Sequence, residues 1–210
     1  MPEIFTVPFE GRWAYMRGVK RESVNGLKDT MTLDVYTYDR NKTPLGGCIH
    51  RLKYYKDQTE QEYQRDINTV VDHTINLLRH YCPNFDKLDF IIPAPSNDPH
   101  RHKVLIDICR EISEVTGVPY VDLIEKGADT RQIKDIDSLS DKVRELEFAF
   151  NIKDDADSVD SIHGNVIVID DIFQHGTTMN ECARVLSELD SINDIFGLAI
   201  TRIGWPDRKN

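Results

Sequence analysis

The sequence predicts an α/β fold, a mostly parallel central sheet flanked by helices. Three observations predict it. Val166-Ile167-Val168-Ile169 is a run of four β-branched residues, too short for a helix and apolar on both faces, as in a strand buried inside a parallel sheet. Residues 59–81 and 104–115 carry apolar positions at helical spacing, as does the stretch after Gly176. Short apolar runs at 88–93, 118–124 and 195–201 alternate with those helices, so successive strands need crossover connections, which are right-handed.

Taken in order, residues 5–55 are expected to be β-rich. Met31 to Tyr38 alternates with period two, Asp39 to Pro44 is a turn, and Leu45 to Tyr55 follows as the second arm of a solvated hairpin covering one sheet edge. Tyr63, Ile67, Val70, Val71, Leu77, Leu78 and Tyr81 mark an amphipathic helix ended by Pro83. Leu88 to Pro93 is a strand. It runs into Ala94-Pro95-Ser96-Asn97-Asp98-Pro99-His100-Arg101-His102-Lys103, a loop at a strand's carboxyl end, where open α/β sheets bind ligands. Arg101 and Lys103 there either contact a phosphorylated ligand or solvate the first turn of the next helix. That helix buries Val104, Leu105, Ile108, Cys109, Ile112 and Val115. Glu125 to Asp141 is polar and without period, long for an inert connector, and reads as a lid. Residues 153–161 are an acidic surface linker that lacks the glycine and glutamate of a calcium loop.

A chain of 210 residues with 40% apolar content suits one α/β domain with a small extension. No stretch is long and apolar enough to span a membrane, and the start lacks the basic and apolar regions of a signal peptide, so a cytoplasmic protein is expected. A formal charge of −10 disfavours nonspecific nucleic-acid binding. Cys48, Cys82, Cys109 and Cys182 are too scattered for a zinc knuckle or a disulfide framework.

The chemistry concentrates where the central strand ends. Asp170 and Asp171 cannot continue a buried strand unpartnered, so the chain is expected to emerge there into solvent or onto a ligand. Gln174, His175 and Gly176 form a turn, and Thr177 and Thr178 open a helix. The first amides of a helix have no internal partner and sit at the positive end of its dipole, so this turn is a phosphate cradle. Two carboxylates nearby are acceptors for sugar hydroxyls, or for magnesium through water. A phosphorylated sugar fits better than a nucleoside triphosphate, because no Gly-x-x-x-x-Gly-Lys-Ser/Thr and no Gly-x-Gly-x-x-Gly is present.

At residues 166–178 the chain resembles the type I phosphoribosyltransferases, whose motif for 5-phosphoribosyl 1-diphosphate (PRPP) runs from an apolar strand through two acids into Thr-Thr-Gly-x-Thr. The resemblance implies that fold, with a flexible hood. It also implies that Asp170 and Asp171, the catalytic pair, hold the ribose 2- and 3-hydroxyls and meet magnesium indirectly, through ribose or water. Gln174, His175, Gly176, Thr177 and Thr178 would hold the 5-phosphate. Gln174 and His175 replace the two threonines, and Gln174 has no titratable proton with which to assist an acceptor base.

Within that family the chain is most similar to the ComF-like group, on Ile49-His50-Arg51-Leu52-Lys53-Tyr54, Ile92-Pro93-Ala94-Pro95-Ser96, Thr130-Arg131-Gln132 followed by Leu139 and Arg144, and Phe148-Ala149-Phe150. It resembles a divergent branch of that group, without paired cysteines before Lys53 for the zinc ribbon and with His100-Arg101-His102-Lys103 in place of an Arg-Gly-Phe-Asn segment. The resemblance implies a diphosphate loop of Ala94, Pro95 and Ser96 with Arg101 and Lys103, and a hood with Lys126, Arg131 and Gln132. It divides the chain into a β-rich N-terminal extension, 1–58, packing on a phosphoribosyltransferase-like domain, 59–210. The expected activity is a glycosyltransferase reaction, transfer of phosphoribosyl from PRPP with magnesium to an acceptor and release of diphosphate. The alternative is a noncatalytic sensor of PRPP or a nucleoside monophosphate. Either is compatible with a homodimer.

Overall fold

The computed structural model describes residues 4–9, 12–17, 20–22, 24–38, 41–81, 85–127, 149–153 and 161–203. The chain is α/β, with a five-stranded sheet at its centre. The elements that build it are β3 (Lys20–Glu22), β4 (Asp29–Val35), β7 (Phe90–Pro93), β10 (Gly164–Phe173) and β11 (Ile192–Arg202). Two other strands, β1 (Ile4–Phe9) and β2 (Arg12–Arg17), form an antiparallel hairpin, and β5 (Thr37–Tyr38) pairs with β6 (Asn41–Lys42). A further two-stranded ladder joins β8 (Ile124–Lys126) to β9 (Phe150–Ile152). The helices are α1 (Pro44–Tyr54), α2 (Glu60–Tyr81), α3 (Pro99–Thr116) and α4 (Thr177–Leu186).

The strand order is β3-β4-β11-β10-β7, with β4, β11, β10 and β7 parallel and β3 antiparallel at one edge. At the other edge Ile91 bridges Tyr120 in parallel, flanked by hydrogen bonds from Ile91 N to Pro119 O and from Val121 N to Ile91 O. From β7 the chain therefore crosses through α3 toward Tyr120, whereas from β10 it crosses through α4 the opposite way, to β11. The two connections diverge between β7 and β10, and a crevice opens at such a switch point, outside the carboxyl ends of the strands.

β10 earns its central place by composition. Val166, Ile167, Val168 and Ile169 are each at most 3% exposed, and helices cover both faces. The helices α1, α2 and α3 pack on one another, α1 against β4 and α3 against β7 and β10. The contacts of α4 are with β10, β11 and β9. Cys48, Cys109 and Cys182 are buried free thiols on helices.

Two expectations for the first 55 residues are corrected. β4 is not half of a solvated hairpin but an interior strand: Thr30, Met31, Thr32, Leu33, Asp34 and Val35 are all buried, and the strand pairs with β11. Residues 44–54 are a helix rather than a strand. Thr43 caps it by accepting from Gly46 N, Pro44 stands in its first turn, and Leu45, Cys48, Ile49 and Leu52 fall at helical spacing on the buried face. Helix formation there hides behind Gly46-Gly47, and packing explains the first glycine. A Cβ at Gly46 would lie 2.1 Å from the carbonyl oxygen of Tyr36, whereas one at Gly47 meets nothing closer than Arg51 at 3.5 Å.

The adjacent glycines should respond oppositely to alanine. Gly46→Ala is expected to cost about 3 kcal/mol through overpacking, and Gly47→Ala to gain about 0.5 kcal/mol from reduced backbone entropy. Urea denaturation of both variants checks the pair; equal effects would contradict the close contact at Tyr36.

Candidate functional site at the carboxyl ends of β7 and β10

Asp170 and Asp171 follow directly on the stretch of β10 that pairs with β7, at the switch point. Successive strand residues face opposite sides of a sheet, so the two acids divide between its faces. Asp171 turns to the α1 side, where Lys53 Nζ lies 2.6 Å from its Oδ2; Lys53 is 8% exposed and Asp171 14%. Asp170 turns to the α4 side, where its charge, after burial, pushes the Cys182 thiol up. Asp170 Oδ1 accepts the amide of Asp171 at 2.8 Å. Burial, and then the charge of Asp171, raise the Asp170 carboxyl to about 7, against the opposing pull of Lys53 and of the Asp171 and Ile172 amides.

The strand does not end at the acids, which corrects the expectation that the chain leaves the sheet there. Ile172 and Phe173 still pair with Thr201 and Arg202 of β11, Thr201 Oγ1 donates to the Asp171 carbonyl at 2.8 Å, and Ile203 N donates to Phe173 O. Asp171 tolerates this position because its partner comes from a helix, not from solvent.

The turn follows directly. Gln174 and His175 are exposed, and Gly176 caps α4 in the left-handed region, φ 75°, with no side-chain cap hydrogen bond. Glycine is favoured there by φ, and a Cβ would also stand 3.1 Å from the Phe173 ring, which would have to shift to admit it. Thr177 and Thr178 occupy the first turn of α4, whose leading amides have no side-chain cap and face the strand ends with the positive pole of the helix.

Across the crevice, Ala94 N donates to Ile169 O at 2.8 Å, which holds the loop of Ala94, Pro95 and Ser96 beside the acids' strand. The loop ends sooner than expected. Asp98 caps α3 by accepting from His100 N and Arg101 N, and Pro99 starts the helix, so Arg101 and Lys103 are helical. Arg101 lies 3.4 Å from Asp98 and 4.9 Å above the ring of Tyr54. Lys103 turns the other way, to Asp107 at 2.5 Å and the ring of Tyr63 at 5.3 Å. Of the two cations, Arg101 is the one beside the α1 end, and His100 Nε2 sits 2.9 Å from Leu52 O, tying α3 to that end. Lys126, half-buried on β8, stands 5.9 Å over Phe150, and burial lowers its pKa. Arg131 and Gln132 lie outside the described residues.

Lys53 was not anticipated as a site residue. The signal existed, since it falls four residues after Ile49 on the buried stripe of α1, and a lysine at a core position of a helix marks a charge partner; reading 45–55 as a strand concealed it. Tyr36 is a second such residue. Its hydroxyl lies 2.9 Å from His50 Nδ1, and burial together with the charges of Tyr54 and Asp171 raises it to about 12.

The acidic pair does not fit a directly bound divalent ion. The Asp171 carboxylate is already engaged by an ammonium, and among the described residues no three His, Cys, Asp or Glu side chains converge as metal ligands.

No family model matches the chain, and no curated protein matches it. Solved structures similar to it include an adenine phosphoribosyltransferase with 15% identity, covering 64% of this chain and 69% of that one, at a TM-score of 0.39. A second is adenine phosphoribosyltransferase from Saccharomyces cerevisiae complexed with an imino-altritol bisphosphate and adenine: 14% identity, 66% and 76% coverage, TM-score 0.39. The Leishmania donovani adenine phosphoribosyltransferase matches at 10% identity, 91% and 93% coverage, TM-score 0.42. At these values the fold class rests on the strand order and helix placement themselves. Among the described residues no helix is long and apolar enough to cross a membrane.

A raised Asp170 pKa has a definite sign. The native state holds this proton more tightly than the unfolded chain, so Asp170 costs no stability below the ordinary carboxylate range and increasingly destabilises as pH climbs through about 7. Asp170→Asn should therefore match the wild type in urea at pH 4 and exceed it at pH 8, by on the order of 1 kcal/mol. A constant difference across that range would contradict the shift.

Proposed function

We propose that the crevice binds PRPP and that the protein transfers its phosphoribosyl group to an acceptor, as a divergent, ComF-like type I phosphoribosyltransferase. One observation carries this reading. Two carboxylates stand near the carboxyl end of the central strand, beside the switch point, and after two more strand residues a glycine turn opens a helix with no side-chain cap. Acceptors for a diol and donors for a phosphate stand together at one strand end, the pairing a 5-phosphorylated ribose requires.

The roles divide accordingly. Asp170 accepts from a ribose hydroxyl, and the Asp171–Lys53 pair presents its remaining donor and acceptor capacity to the neighbouring one. The amides from Gly176 to Thr178 receive the 5-phosphate, with Gln174 and His175 at the rim. Ala94 to Ser96 and Arg101 face the diphosphate, and Lys126 belongs to the hood. In the reaction the C1–O bond breaks with its electron pair leaving on diphosphate, the acceptor bonds to C1, and the acceptor's proton passes to solvent. The chain contributes by holding the sugar while positive charge develops on its ring. Magnesium enters this reading as the companion of the diphosphate, not as a ligand of the acids.

The second reading, a noncatalytic sensor of PRPP or a nucleotide, draws on the exposed, non-titrating Gln174, which leaves the turn able to bind but without an acid at that position.

Calorimetry of PRPP with magnesium, with diphosphate assayed in the same samples, tests both. The wild type should bind, and Asp170→Asn/Asp171→Asn should lose about a hundredfold or more in affinity, two charge-assisted hydrogen bonds being removed. Diphosphate release in the presence of nucleobases or amines assigns the transferase, and binding without release assigns the sensor. If the wild type does not bind PRPP, both readings fail.

A further inference from the structure

Lys53 is placed by two independent constraints. The last turn of α1 carries it on the buried face, beside Leu52 and Ile49, which are fully buried. The contact between His100 and Leu52 O fixes that turn against α3. The neighbouring cation is spoken for: Arg51 makes a two-pronged contact with Asp66 of α2, at 2.6 and 2.8 Å. Arg101 rests on Tyr54. Lys53 is thus the cation at Asp171, and its charge also acts on Asp170.

An ammonium within 3 Å of a carboxylate holds the place that a divalent ion would take at that oxygen. A metal could bind Asp171 only by leaving a buried lysine unpaired, which is strongly unfavourable. An ammonium has three donors, more than the one carboxylate oxygen beside it can take up.

We propose that Lys53 is the resident counter-ion of the acidic pair, a positioning residue that fixes Asp171 and excludes a divalent cation from it, so that the sugar hydroxyls of a ribose 5-phosphate are held with no metal between protein and sugar. The ligand class rests on the reading under Proposed function; the exclusion of metal does not.

Two measurements separate these parts. In the first, Mn2+ is titrated against the protein alone and followed by electron paramagnetic resonance. Wild type should show no Mn2+ site that Asp171→Asn removes. Lys53→Met should gain one, and Lys53→Met/Asp171→Asn should lose it again. In the second, ribose 5-phosphate, which carries no diphosphate to bring in a metal, is titrated calorimetrically in EDTA and in magnesium. Wild-type affinity should agree between the two conditions within about twofold, whereas Lys53→Met should bind about tenfold more weakly in EDTA and recover when magnesium is added.

A wild-type Mn2+ site that depends on Asp171 overturns the proposal, as does a wild type that needs magnesium to bind ribose 5-phosphate, or a folded Lys53→Met that takes up no Mn2+. Should Lys53→Met fail to fold, the wild-type and Asp171→Asn arms decide alone. If ribose 5-phosphate binds to no variant in either condition, the sugar-phosphate reading fails while the Mn2+ titration still decides the role of Lys53.

Discussion

The ion pair between Lys53 and Asp171 joins the end of α1 to the end of the central strand, and much of the site's geometry depends on it. Each partner alone would be a buried charge, and removing one partner of such a pair costs about 3–5 kcal/mol. Together they let β10 run past its acids and keep pairing with β11 as far as Phe173. That extra length sets where the turn begins. Gly176 follows Phe173 closely enough for its missing Cβ to matter against the Phe173 ring, so the strand's end and the start of α4 are fixed relative to each other.

The pair also makes the two acids unequal. Alternation along the strand puts them on opposite faces, and only Asp171 meets an ammonium; Asp170 has burial and a like charge raising its pKa, with two amides and the more distant Lys53 charge opposing. Neighbouring carboxylates of the same sequence thus become one that is paired with an ammonium and one that titrates near neutrality. Separation of this kind is how a single fold assigns different tasks to identical side chains.

How much of this could be read from sequence follows from what each signal depends on. The strand 166–169, the helix 60–81 and the turn at Gly176 were legible because composition alone forces them: four β-branched residues, an apolar stripe, and a glycine where a helix must start. The helix 44–54 was not. Its two glycines lower helix propensity, and the reason for Gly46, the close approach of Tyr36 O, is a tertiary contact with no local trace. The burial of β4 was hidden for a related reason: Thr32 and Asp34 read as the polar side of a half-exposed strand, yet both are buried at the sheet's interior.

The same dependence explains which site residues were found. Asp170, Asp171 and Gly176 to Thr178 are contiguous, so the sequence displays them as a unit. Lys53 belongs to the site only because α1 is a helix, since a strand would have sent it and Leu52 to opposite faces, whereas the last helical turn buries both. The error about 44–54 and the omission of Lys53 are therefore one error. An ionisable residue on the apolar stripe of a helix is a sharper pointer to a site than its chemistry alone. Here the pointer becomes visible only once Thr43-Pro44 is recognised as a helix start and the glycines after it as a packing requirement.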